Sequence, residues 1–312
     1  MKILYIASTK HPDYQSDMLF HGLRSLYGSA VVDANRLWYM YPVDFRREWD
    51  ARICKVYGYD RPHFGRGFTT CGTVDDTVVD RASISQKISD RFFDLVIYGA
   101  FSRCKDYSEE VRRAYPSDRL IVIDGEDSPQ IDLSQTQWST VFKRELTTAP
   151  ARNLQPINFC IPIDKIVPAV PPKMQEMGTV IPNKSETYIF NDEAAYYIDY
   201  QKSCFAVTHK KGNPAGPGGW DCLRHYEILM NGCVPHFADS TGRVDWRLEN
   251  CPEYTMTAFP KELVRRATES HEKYGMPTQP EYMELANALL THTRTHLTTT
   301  AVATKVLEHV IT

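Results

Sequence analysis

The strongest constraint on this chain is the repeated alternation of short apolar runs with amphipathic segments through its first half. "ILYIAS" (3–8) reads as a strand, "DMLFHGLRSLY" (17–27) as a helix stopped by Gly28, and "AVVD" (30–33) as the next strand. Residues 34–80 interrupt the pattern with an aromatic, turn-rich stretch that includes "HFGRGFTTCG". The alternation then resumes with a helix in "RASISQKISDRFF", a strand in "DLVIYGA" (94–100), a helix near 106–115 and the strand of "RLIVIDGEDSP", which runs directly into an acidic turn. Strand-like pieces follow at "STVFKREL" (139–146) and "INFCIPI" (157–163). This is the pattern of a doubly wound α/β domain.

A chain of 312 residues exceeds what one compact core usually holds, so two domains are expected. The proline-rich stretch "VPAVPPKMQEMGTVIPNKSE" (167–186) has little apolar periodicity and places the boundary there, giving domains over 1–166 and 167–312. Beyond it the pattern restarts: "TYIF" as a strand, a helix near 192–202, the strand "CFAVTH" (204–209), a glycine-rich loop, a helix, the strand "VPHF", and helices at about 260–273 and 280–311, the last able to pack back on the first domain.

Composition narrows the class. With 42% hydrophobic residues there is ample material for buried cores. No window approaches the run of about 18 apolar residues that a membrane helix needs. "MKILYIASTK" suits a first buried strand better than a signal peptide, so a cytoplasmic location is expected, in a host cytoplasm if the source is viral. The eight cysteines form no CxxC pair, and Cys160 and Cys204 sit inside apolar runs, which reads as reduced packing thiols. A net charge of −3 argues against large non-specific affinity for nucleic acid.

The segment "GGWDCLRHYEILMNGCVPHF" (218–237) concentrates polar chemistry on what should be one helix. Turning about 100° per residue from Asp221, the residues Leu229, Cys222, Tyr226, Met230 and Leu223 share one arc, while Arg224, Glu227, Asp221 and His225 share the other. Upstream, "VTHKKGNPAGPGGW" places His209, Lys210 and Lys211 and four glycines immediately before the helix. Glycine-lined backbone and a helix N-terminus together suit an anion. Neither GxxxxGK[ST] nor GxGxxG is present, so a P-loop and a dinucleotide fingerprint are unsupported.

"KSCFAVTHKKG...GGWDCLRHYEILMNGCVPHF" resembles the donor-binding segment of exostosin-like glycosyltransferases and related GT-B enzymes, in viral or bacterial form. "FKREL" with "INFCIP" and "HGLRSLYG" resembles further pieces of that group. The resemblance implies two Rossmann-like doubly wound domains facing across a cleft, a nucleotide-sugar donor on the C-terminal domain and an acceptor on the N-terminal one. It implies that Glu227 accepts hydrogen bonds from donor hydroxyls and that Arg224 faces the diphosphate, a carboxylate and a planar guanidinium matching those partners. His209, Lys210 and Lys211 would add positive charge beside Gly219, and Trp220 would either stack on the donor or simply pack. Asp221 reads first as the helix's early acidic residue and second as a ligand.

Inverting sugar transfer needs a base to take the acceptor proton. "IVIDGEDSP" offers Asp127, with Glu126 next, at a strand's carboxyl end, the edge where open α/β sheets bind ligands. Asp17 and His21 compete for that role. Lys143 and Arg144 could enter the cleft from the other side, and Arg66, between Phe64 and Phe68, could contact an acceptor or its phosphate. No DxD triplet or zinc spacing appears, so no metal is expected. The reading is a hexosyl- or pentosyltransferase moving a sugar from a nucleotide-diphospho sugar, UDP-linked, to a glycan hydroxyl. Its alternatives are a phage-type transferase acting on hydroxymethylated DNA bases, and a non-catalytic nucleotide- or glycan-binding module.

Overall fold

The computed structural model describes residues 1–10, 12–42, 69–75, 77–182, 184–189, 192–211, 218–237 and 247–311. Arg66 and the aromatic loop around it lie outside the described residues. The first sheet contains β1 (Ile3–Ile6), β2 (Val31–Asp33), β3 (Leu95–Tyr98), β4 (Leu120–Asp124), β5 (Thr140–Lys143) and β6 (Leu154–Pro156). They lie in the order β2-β1-β3-β4-β5-β6, every neighbouring pair parallel. Parallel pairing requires crossovers that cover both faces, which is why β1 and β3 are buried at every position instead of alternating. The covering helices include α1 (Tyr14–Tyr27), α2 (Ile84–Ser89) and α3 (Ser108–Ala114). Helix α1 starts at Asp13, whose carboxylate accepts the Ser16 N–H at 3.2 Å, and stops at Gly28.

The second sheet is smaller: β7 (Gln175–Met177), β8 (Ser203–Val207) and β9 (Val234–His236), again parallel. Around it lie α4 (Glu193–Lys202), α5 (Leu223–Met230), α6 (Lys261–Tyr274) and α7 (Gln279–His296). Two expectations change here. Residues 187–189 form no strand, and the strand that pairs with β8 is instead "QEM", inside the proline-rich stretch. An edge strand of three polar-leaning residues is held by backbone pairing and leaves no hydrophobic pattern to read. The helix expected over 280–311 is divided before α8 (Thr299–Ile311) because Ile161 pairs with the chain there: its N–H donates to the Leu297 carbonyl and its carbonyl accepts from Thr299.

Helix α8 packs along α1, so the end of the chain lies on the first sheet's helical layer. One apolar core runs from this face of the first sheet (Tyr5, Phe20, Phe142) into the second (Tyr196, Phe205, Tyr226), while a separate core under α2 and α3 covers the opposite face. The junction between the sheets is therefore packed against one side of the first sheet. Among the described residues, no helix is long and apolar enough to cross a membrane.

Candidate functional site where the two sheets meet

Strands β4 and β5 end side by side, with Asp124 in register with Lys143. Lys143 is fully buried and its Nζ donates to Asp124 Oδ1 at 2.9 Å. The expected cleft contact of Lys143 is thus replaced by a role in fixing Asp124, since a buried ammonium requires a partner. The turn that follows splits in two directions. Glu126 accepts from Arg103 Nε at 3.0 Å and Ser102 Oγ at 3.0 Å, and Arg103 also pairs with Asp13 Oδ2 at 2.9 Å. Burial alone would push the Glu126 carboxyl up, but Arg103 outweighs it and holds the group below its ordinary range. Asp127 instead pairs with Arg144 and with Lys211 Nζ, the latter at 2.9 Å. Burial again opposes ionisation, and the two cations overcome it, so Asp127 is a carboxylate at neutral pH.

Arg144 is buried and uses all its donors within the protein. Its guanidinium donates twice to the Gly125 carbonyl, at 3.0 and 2.8 Å, to Glu145 Oε1 at 3.1 Å, to Asp127 and to the Asp221 carbonyl. A guanidinium has five N–H groups, so none remains for a phosphate. The expected phosphate or acceptor contact of Arg144 gives way to a clamp between the strand ends of the first sheet and the loop before α5.

That loop follows β8. Thr208, His209 and Lys210 are buried, and Lys211 is exposed. Residues 212–217 lie outside the described residues, and the chain is followed again from Gly218. The Lys211 N–H donates to the Gly219 carbonyl at 2.7 Å, and Gly219 has φ +84°, a conformation that disfavours a side chain. A Cβ on Gly218 would lie 1.8 Å from the Asp127 carbonyl oxygen, so glycine is what lets this loop touch the acidic turn.

Helix α5 begins at Leu223, two residues later than a first-turn role for Asp221 would require. Asp221 is buried and accepts from the Phe159 N–H at 2.9 Å and from Tyr226 Oη at 2.6 Å. Its expected helix-dipole role is therefore replaced by a tie back to the segment that follows β6. Burial pushes its carboxyl up to about 6, against the pull of Arg144. Glu145 receives the N–H groups of Trp220 (3.2 Å) and Asp221 (2.9 Å), and burial raises it to about 7.

The polar arc of α5 does not face solvent. His225 is fully buried; its Nε2 donates to the Trp220 carbonyl at 3.0 Å, leaving Nδ1 to accept from Thr208 Oγ1 at 2.8 Å. Burial lowers it to about 3, so it is a neutral strut. Glu227 accepts from Thr69 Oγ1 and Tyr196 Oη, both at 2.7 Å, and burial raises its carboxyl. Trp220 is packed inside, with the Lys210 ammonium 5.5 Å from its ring, and His209 contacts the Lys210 carbonyl at 2.7 Å.

Arg224 differs from its neighbours. It is half-buried in the first turn of α5, its guanidinium lies over the Tyr188 ring at 5.4 Å and donates to Tyr188 Oη at 2.8 Å, and its buried Nε has no hydrogen-bond partner among the described residues. Of the competing bases, Asp17 is fully buried, accepting from the Asp13 N–H at 2.8 Å and Tyr39 Oη at 2.9 Å, with its carboxyl raised by burial. His21 contacts Thr299 Oγ1 at 2.9 Å on the last helix, so it belongs to the α1–α8 contact. Among the described residues, no group of three His, Cys, Asp or Glu side chains is placed to hold a metal.

The structure thus gathers Asp127, Arg144, Lys211, Gly218, Gly219, Trp220 and Asp221 at the carboxyl ends of two parallel sheets. Arg103, Asp13 and Glu145 join them without having been singled out in the sequence; Glu145, next to Arg144 in "KREL", was the one within reach. Two parallel α/β sheets thus meet at their carboxyl ends, the acidic turn of the first against the glycine loop of the second. Among solved structures, the chain is similar to MurG of Acinetobacter baumannii, at 10% identity over 98% of this chain and 99% of that one, with a TM-score of 0.38. It is also similar to an alpha-glucosyltransferase in complex with UDP and a 13-mer DNA containing a central A:G mismatch, at 13% identity over 100% of both chains, with a TM-score of 0.43. No family model and no curated protein matches the chain.

Proposed function

We propose that this protein transfers a sugar from a nucleotide-diphospho sugar, uridine being the nucleotide suggested by the likeness of residues 202–237 to exostosin-like enzymes, to a glycan hydroxyl. The observation that carries this reading is the contact of Asp127, on the acidic turn of the first sheet, with Lys211 and Gly218, on the glycine loop of the second. It sets a carboxylate beside an anion-binding loop, the pairing that glycosyl transfer from a diphosphate needs. The donor's diphosphate lies on the glycine loop and the first turn of α5, drawing on Lys211 and on the half-exposed guanidinium of Arg224. Drawing Lys211 onto the diphosphate removes one of the two cations that hold Asp127 ionised and weakly basic. Donor binding thereby raises the basicity of Asp127, which takes the acceptor proton. Glu227, with both oxygens held by Thr69 and Tyr196, positions α5 in this scheme and reaches donor hydroxyls only through that network.

Thermal melting with a panel of nucleotide sugars tests the reading, because a ligand that binds the native state raises its stability by mass action. A nucleoside diphosphate and one of its sugars should raise the melting temperature, and sugar should leave the labelled donor. A protein indifferent to every nucleotide sugar overturns the proposal.

A further inference from the structure

The connection from β4 to β5, residues 125–139, contains no α-helix, only the short turn Gln135–Gln137, whereas parallel crossovers normally carry one. The acidic turn over residues 124–127 therefore has no helix start to hold it, and its hold comes from side chains. Asp124 accepts from Lys143 Nζ and from the Glu126 N–H, the latter at 3.1 Å. A Cβ on Gly125 would lie 2.8 Å from Gln15 Cβ, so the turn presses against the first turn of α1. Because β4 lies between β3 and β5, the two carboxylates that follow divide: Asp127 pairs with Arg144 at the end of β5, and Glu126 with Arg103 in the loop after β3.

Arg103 holds more than Glu126. Its Nε and Nη2 donate to the two Glu126 oxygens, at 3.0 and 3.3 Å, while its Nη1 pairs with Asp13 Oδ2 at 2.9 Å. Each anchor is itself fixed. Asp13 caps α1 by accepting the Ser16 N–H, its own N–H donates to Asp17 Oδ2 at 2.8 Å, and the Arg103 N–H donates to the Ala100 carbonyl at 3.0 Å. One guanidinium thus ties the loops after β1, β3 and β4 together at the carboxyl edge of the sheet. Without it the Asp13 and Glu126 carboxylates would face each other with no cation between them, and their repulsion would push the turn off α1.

We propose that Arg103 is a positioning residue for Asp127: by holding both Glu126 oxygens it sets the direction of the neighbouring carboxylate and withholds Glu126 from proton transfer. The role of Asp127 as base rests on the transfer reading above. Crystal structures of wild type and Arg103→Met test the proposal, together with steady-state kinetics on a nucleotide sugar that raises the melting temperature. In Arg103→Met the Asp127 carboxylate should move by roughly 1 Å, and kcat should fall about 100-fold, the scale of such a misplacement, without weakening donor binding. Lysine keeps the charge but not the fork, so Arg103→Lys should recover part of the loss. Because the effect runs through Glu126, adding Glu126→Gln to Arg103→Met should lower kcat no further. Should Arg103→Met not fold, Arg103→Lys takes its place in both measurements, with a smaller effect of the same sign. An unmoved Asp127, a kcat near wild type, or losses that multiply in the double variant would overturn the proposal. A displaced Asp127 in a protein that transfers no sugar keeps the hold of Arg103 on the turn and removes the transfer reading.

Discussion

Replacing Glu145 with glutamine perturbs the junction through a single ionisation. The carboxyl is almost fully buried, and burial raises it from 4.5 to about 7 despite Arg144 beside it. Between those values the folded protein keeps a proton that the unfolded chain has released. Its contribution to stability is therefore complete below pH 4.5 and is lost as pH rises through about 7. The displacement corresponds to about 3 kcal/mol. Asp221, raised to about 6, acts with the same sign. His225, lowered to about 3, acts oppositely: its contribution is present above pH 6.5 and is lost as pH falls. The total pH dependence is thus a balance, and the difference between wild type and Glu145→Gln isolates the one group. Glutamine is neutral throughout, and an amide oxygen can still receive the Asp221 N–H. Urea denaturation of both proteins at pH 5, 6, 7 and 8 should show wild type losing about 2.5 kcal/mol relative to the variant between the lowest and highest pH. Parallel stability curves would refute the argument, because they would mean that Glu145 is already ionised at pH 5 and that its burial costs nothing.

Further outcomes follow from the same geometry. Arg224→Ala should weaken nucleoside diphosphate binding by about 1.5 to 3 kcal/mol, read by calorimetry, if the guanidinium makes a charge-assisted contact. Asp127→Asn should lower turnover about 100- to 10,000-fold without weakening donor binding, since Lys211 no longer has to leave an ion pair to reach the diphosphate; a fully active variant would remove Asp127 as the base. Arg144→Met should cost about 3 to 5 kcal/mol in denaturation at pH 8, where Glu145 is ionised in wild type, because it removes the cation beside that carboxylate and strands the Asp221 carbonyl. Transfer measured in excess EDTA should persist, since Lys211, Arg224 and the start of α5 supply the positive charge. Complete loss restored by manganese or magnesium would contradict that.

Much of this arrangement was legible from particular residues. The apolar runs around Ile3–Ile6 and Leu95–Tyr98 announce buried parallel strands, and "DGED", "FKREL" and "HKKG...GGWD" mark the three segments that meet at the junction. Their mutual contacts were not legible, because they depend on tertiary placement. Arg144 reads as an exposed strand-end cation until its five donors are traced. The polar arc of α5 has the periodicity of a solvent face, yet His225 and Glu227 point into buried networks with Thr208, Thr69 and Tyr196, residues far away in sequence. Arg103 carries no motif and acquires its role only where the ends of β1, β3 and β4 converge. Strand β7 has too few apolar residues to register.

A crystal structure of the protein with a bound nucleotide sugar tests the central claim most directly. The account predicts the diphosphate on the glycine loop, contacting Lys211 and the first turn of α5 at Arg224, with the sugar's anomeric carbon on the side of Asp127. A nucleotide bound away from the meeting of the two sheets, or a diphosphate touching neither Lys211 nor Arg224, would contradict it.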